Sequence, residues 1–172
     1  EDAMPRAYSI SQIRLYDECP LAWRLKYVDK LKEEPSRILV AGSSTHAAIA
    51  EYVTRCHKAK LPSDAAIIEE CIEAAKVDGS PIGPSYKADV RALLTKFAGS
   101  FAVTLERPMI ESRMAFDADW NLLGSWFGPD VRFRGVVDLL DFPVPEIAQI
   151  RDWKTGFKVD HEDAAESLQL RA

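Results

Sequence analysis

Hydrophobic positions along the chain change their period once, near residue 106. Before that point apolar residues recur at helical spacing, and after it they run and alternate as strands do. Ser9-Ile10-Ser11-Gln12 has the form of a capping box and opens an apolar-periodic stretch through Leu15. Pro20 suits the first turn of a second short helix, in which Trp23, Tyr27 and Val28 recur. The span Ile38 to His57 predicts a long helix. Pro62-Ser63-Asp64 opens another, with Ile67, Ile68, Cys71, Ile72 and Ala75 on its inner side. Asp78-Gly79-Ser80-Pro81 and Gly83-Pro84-Ser85 are loop signals, and a further helix is expected from Tyr86 to Leu105.

Beyond Pro108 the pattern predicts strands at Met109–Asp117, Val131–Asp141 and Ile147–Lys154. Residues 117–121 read as a turn. Phe142-Pro143-Val144-Pro145-Glu146 is short enough to join the last two strands as an antiparallel hairpin. Asp160 to Ala172 reads as a helix opening on acidic residues, where its dipole favours them. The chain stops inside that helix without a closing signal, so truncation at the C-terminus is expected. One domain over 1–172 is expected, with a helical part over 8–105 and a strand-rich part over 106–172.

At 172 residues, 47% hydrophobic and 28% charged, the chain can bury one good core and matches ordinary globular composition. No run nears the roughly 18 apolar residues of a membrane span, and no secretory signal opens the chain. Membrane partners are therefore not expected, and the cytoplasm is the expected location. The net charge of −5 does not advertise a nucleic-acid binder, although local basic patches survive an acidic total. Cys19, Cys56 and Cys71 form no CxxC, and an odd count argues against a disulfide framework.

Candidate chemistry gathers in the strands. Along a strand, residues two apart share a face, so Asp152 and Lys154 are expected to project together while Trp153 faces away. If the hairpin brings Asp138 near Asp152, two carboxylates and an ammonium meet. Two adjacent carboxylates repel unless a cation lies between them. A hard divalent ion such as Mg²⁺ suits that arrangement and can polarise a phosphoryl oxygen. The backbone carbonyl of Trp153 is a further candidate ligand. On spacing alone the same residues read more readily as a strand end and an ordinary ion pair, since D-x-K is a common tripeptide.

Gly135-Val136-Val137-Asp138, then Asp152-Trp153-Lys154-Thr155-Gly156, then Gln169-Leu170 resembles the PD-(D/E)XK nuclease superfamily, and more narrowly its RecB-type exonuclease branch. Tyr8-Ser9-Ile10-Ser11, Tyr16, Cys19-Pro20, Trp23 and Tyr27-Val28 are similar to that branch's opening helix pair. Gly42 with His46 is similar to its G-x-x-x-H helix element. The resemblance covers about residues 8 to 170. It implies a restriction-endonuclease-like α/β core, a small mixed β-sheet flanked by helices, preceded by a helical portion. It implies hydrolysis of DNA, with Asp138 and Asp152 as acidic metal ligands, Lys154 as the catalytic lysine and His46 as the ligand from the helical side. Imidazole suits Mn²⁺ better than Mg²⁺. Glu111 matches an ancillary acidic position, and Gln169 matches a helix motif near the substrate.

In many relatives a cysteine at the place of Cys19 joins three others to hold an iron–sulfur cluster. The other three would lie beyond Ala172, so here the thiol is expected to pack as a small apolar group. Arg14, Arg24, Lys26, Lys30 and Lys32, interleaved with Trp23 and Tyr27, are candidates for a basic strip on a phosphate backbone. The leading expectation is a DNA exonuclease acting on an end or a single strand, alone or with a helicase or other nuclease-complex subunit, in repair, recombination, phage or CRISPR-type processing. The alternative is a non-catalytic DNA-binding or partner-docking module.

Overall fold

The computed structural model describes residues 7–59, 67–101 and 105–154. Among them lie helices α1 (Ile10–Glu18), α2 (Pro20–Tyr27), α3 (Arg37–Ala59), α4 (Ile68–Ala74) and α5 (Lys87–Ser100). The strands are β1 (Lys76–Val77), β2 (Ser80–Pro81), β3 (Met109–Phe116), β4 (Leu122–Leu123), β5 (Phe133–Val144) and β6 (Ile147–Arg151). β1 and β2 form a two-stranded hairpin, and the other four strands form one sheet in the order β4-β3-β5-β6. The β3–β4 and β5–β6 pairs are antiparallel, and a lone parallel bridge joins Tyr8 to Phe133. This α/β architecture of helices with a small sheet is the expected class.

The described residues group into two compact units, one within 7–34 and 113–136, the other within 35–112 and 137–154. In the second unit α3 turns Ala48, Ile49, Tyr52, Val53 and Cys56 inward, the spacing of one helical face. Ile68, Cys71 and Ile72 of α4, Val90, Leu94 and Ala98 of α5, and Leu139 of β5 complete a single apolar cluster. Each large aliphatic side chain removed from water there stabilises the fold by about 1.5–3 kcal/mol. The Asp78-Gly79 signal forms the turn of the β1–β2 hairpin. Both residues have positive φ, +50° and +80°, the conformation that suits the twist of a two-residue hairpin turn.

In the first unit Ser9 and Gln12 cap α1 reciprocally: the Ser9 side chain accepts from Gln12 N–H, and the Gln12 side chain accepts from Ser9 N–H at 2.9 Å. Trp23 is buried between Tyr16 and Tyr27, its ring edge-on to Tyr16 at 5.5 Å. Tyr8 N–H donates to the Arg132 carbonyl, and Arg134 N–H donates to the Tyr8 carbonyl, both at 2.8 Å. The 117–121 turn closes on the Asp117 carboxylate, which accepts from Asp119 N–H, Asn121 N–H and the Asn121 amide, each at 2.9 Å.

Three boundaries differ from expectation. α5 ends at Ser100, where Phe101 turns extended and packs its ring on Phe97. β5 runs through Phe142-Pro143-Val144, leaving only Pro145 and Glu146 as the hairpin turn. Pro143 is tolerated because the register shifts between Asp141 and Val144, where no ladder donor is required. β6 stops at Arg151, so Asp152, Trp153 and Lys154 lie past the strand. The expected helix over 160–172 lies outside the described residues.

Candidate metal centre

Asp138 lies in a strongly apolar stretch of β5, followed by the buried Leu139 and Leu140. Such a strand is held firmly, so a polar side chain on it is fixed in position. The Asp138 carboxylate is nearly buried and accepts two hydrogen-bonding partners: Trp153 N–H on Oδ2 at 2.6 Å and His46 Nδ1 on Oδ1 at 3.3 Å. Burial alone opposes its ionisation. The bonds from His46 and Trp153 outweigh that and hold the carboxyl below the ordinary aspartate range.

His46 is delivered by α3, beside the buried Ser44 and Thr45 and one turn ahead of Ile49 and Ala50. Thr45 returns its hydroxyl to the Ala41 carbonyl at 2.8 Å and so consumes its own polarity inside the helix. The hydrogen bond to Asp138, against partial desolvation, raises the imidazole pKa, and the charges of Asp138, Glu111 and Asp152 push the same way. Glu111 comes from β3 with φ at +51°, a left-handed conformation that costs a residue with a Cβ about 1–3 kcal/mol. The residue is exposed, so the desolvation that first raises its carboxyl is partial, and the negative charge of Asp138 adds to it.

Ligand atoms of His46, Glu111 and Asp138 all lie within 4.8 Å of one another. Donors around a cation at ~2.1 Å stand ~3–4 Å apart, so the three need only a small approach to share one. Like charges on Glu111 and Asp138 and a strained backbone beneath one of them are what a bound cation would compensate.

Beside this trio the strand end is set by Trp153. Its ring stands edge-on to Phe97 at 5.0 Å and to Phe101 at 5.9 Å, while its N–H reaches Asp138. With Trp153 turned into the apolar cluster, Asp152 and Lys154 project away from it and pair at 2.5 Å. Strand alternation was expected to do this, yet the residues are past the strand, and the anchoring of Trp153 does it instead.

A family model for the PD-(D/E)XK nuclease superfamily matches residues 7–172. The chain belongs to that superfamily. No curated protein and no solved structure gives a significant match. The superfamily makes the chain a nuclease-type hydrolase of the divalent-metal class, and the donor set of one imidazole and two carboxylates fits a hard or borderline divalent cation.

Within this PD-(D/E)XK chain the expected site residues divide. His46, Asp138 and Glu111 come together, Glu111 more centrally than an ancillary place suggests. The Asp152 carboxylate is not part of that trio and is paired with Lys154. Trp153 contributes its N–H, and Gln169 lies outside the described residues. Cys19 corrects an expectation: it is exposed, and its Sγ accepts from Ala22 N–H at 3.5 Å as the N-cap of α2, so it does not pack as an apolar group. Cys56 and Cys71 are buried and free, and burial pushes the Cys71 thiol up to about 11. The expected basic strip loses its central ring, since Trp23 is turned inward, and Arg24 lies 3.6 Å from Asp29.

Asp141 was not singled out from the sequence. It stands three residues after Asp138, hence on the opposite side of β5, and is 1% exposed. It accepts from Arg107 N–H at 2.8 Å and from Glu106 N–H at 3.5 Å. That fixes the approach to β3, and through it the position of Glu111. The signal was available: an aspartate inside an apolar strand run needs donors to meet it.

Proposed function

We propose that this protein is a metal-dependent deoxyribonuclease in which His46, Glu111 and Asp138 hold the divalent ion and Lys154 is the catalytic lysine. The convergence of those three donors in a PD-(D/E)XK chain carries the reading. When bound, the ion supplies Lewis acidity to a phosphoryl oxygen and lowers the pKa of water. Asp138 orients the imidazole through Nδ1 and is itself oriented by Trp153 N–H, a carboxylate–histidine arrangement that keeps ligands in place. The Lys154 ammonium offsets negative charge gathering on phosphorus-bound oxygen as water adds and a P–O bond of the backbone breaks. Asp152 holds Lys154 until a phosphate competes for it, and its negative charge also bears on the His46 imidazole.

The finer reading is a RecB-type exonuclease using Mn²⁺ or Mg²⁺ on a DNA end or single strand, and the imidazole donor favours Mn²⁺. It rests on the residues similar to that branch, from Tyr8 through His46 to Lys154. End-labelled and circular DNA incubated with Mn²⁺ or with EDTA test it, beside Asp138→Asn and Lys154→Ala. Metal-dependent loss of linear DNA, reduced at least about a hundredfold in both variants, is expected. Equal cleavage by wild type and variants would refute the site. Cleavage of circles as fast as linear DNA would refute exonuclease action.

A further inference from the structure

Residues 113–136 build a second surface that the metal centre does not use. The guanidinium groups of Arg113 and Arg134 both lie 5.6 Å from the centre of the Trp126 ring. Arg134 also lies 4.9 Å from the centre of the ring of Phe127, a residue that is 71% exposed. The Ser125 hydroxyl donates to the Phe127 carbonyl at 2.7 Å and accepts from Phe127 N–H at 3.3 Å, which shapes the loop that presents this ring. Arg134 Nε is buried and has no hydrogen-bond partner. Among the described residues neither guanidinium pairs with a carboxylate.

Two guanidinium groups over one indole, neither paired with a carboxylate among the described residues, concentrate positive charge that a phosphate would offset. Guanidinium forks match phosphate oxygens bidentately, and an open phenyl face matches a nucleobase. An unpaired strand offers repeated phosphates and open base faces together, whereas a duplex presents phosphates while its base faces stay stacked inside. We propose that Arg113, Trp126, Phe127 and Arg134 bind single-stranded DNA, with the arginines on backbone phosphates and a base stacked on Phe127. That the strand is DNA rests on the nuclease reading.

Anisotropy of a labelled oligothymidylate of about 16 nucleotides, in EDTA so that nothing is cut, tests it. Phe127→Ala is expected to weaken binding about tenfold, and Phe127→Trp to restore it. Arg113→Gln is expected to flatten the dependence of log affinity on log salt by about 0.7. Unlabelled duplex should displace the strand poorly. Binding by Phe127→Ala indistinguishable from wild type, or equal competition by duplex, would overturn the proposal. So would a change in oligomeric mass or in protein association with DNA binding intact. Phe127 is so exposed that the fold should survive its replacement, checked by near-ultraviolet circular dichroism. A protein that cleaves DNA with Phe127 silent refutes only this surface. One that never cleaves yet binds through Phe127 refutes only the nuclease reading.

Discussion

The two compact units are held together by different physics. The unit carrying His46, Glu111 and Asp138 has a continuous apolar interior drawn from α3, α4, α5 and β5. The unit carrying α1, α2 and residues 113–136 relies on a capping box, an Asp117-centred turn and ring contacts around Trp23 and between Trp120 and Phe133. The strained Glu111 and the repelling carboxylates sit in the unit with the interior. A strained, charged site persists only where surrounding packing overdetermines it. Open rings and free guanidinium groups, by contrast, need little packing beneath them and occur in the other unit.

Four substitutions test this contrast. Leu94→Ala empties a fully buried position in the apolar cluster and is expected to lower stability by about 2–5 kcal/mol, read from denaturant midpoints. A loss under about 1 kcal/mol would mean that the interior does not dominate that unit. Asp141→Ala strands the Arg107 N–H and is expected to lower stability by about 1–3 kcal/mol while also reducing nuclease activity, because Glu111 follows on the same stretch of chain. Full activity in that variant would separate Asp141 from the site. Ser9→Ala removes half of the capping box and is expected to lower stability by about 1 kcal/mol. Should it equal Leu94→Ala, the contrast between the units fails.

The smallest effect is electrostatic. His46 has its pKa raised above 6.5 by Asp138, so its contribution is full below the unfolded value and is lost as pH rises through the folded one. Asp138 is lowered, so its contribution is present above the unfolded value and is lost as pH falls through the folded one. In the metal-free protein the pair therefore stabilises most in mildly acidic solution. The Tm difference between wild type and His46→Ala in EDTA should shrink as pH rises from about 5 to about 9. A difference that grows with pH would mean that the imidazole is not charged by Asp138.

Local signals carried far along this chain. The Ser9–Gln12 capping box, Pro20 at the start of α2 and the inward face of α3 are spelled out within a few turns, because capping and helical periodicity act between near neighbours. Residue type and order singled out His46, Asp138, Asp152 and Lys154, with Glu111 only as a companion, and of these His46, Asp138 and Glu111 stand together. Less legible were the ends: β6 stopping at Arg151, α5 at Ser100 and β5 running through Pro143. The end of β6 follows a contact distant in sequence, Trp153 on Phe97 and Phe101, whereas the run through Pro143 follows the shifted register inside the β5–β6 hairpin, which residue type alone does not announce.

Read without coordinates, the chain already declares an α/β class, with helices before residue 106 and strands after it. Tertiary structure alone decided that Glu111 stands with His46 and Asp138, that Asp138 accepts from Trp153 N–H, and that Asp141 serves the chain near Arg107 instead of an ion. The reason is distance along the chain. A carboxylate's role depends on the donors and charges within a few ångströms of it, and for Asp138 those lie 92 residues before it, at His46, and 15 after it, at Trp153.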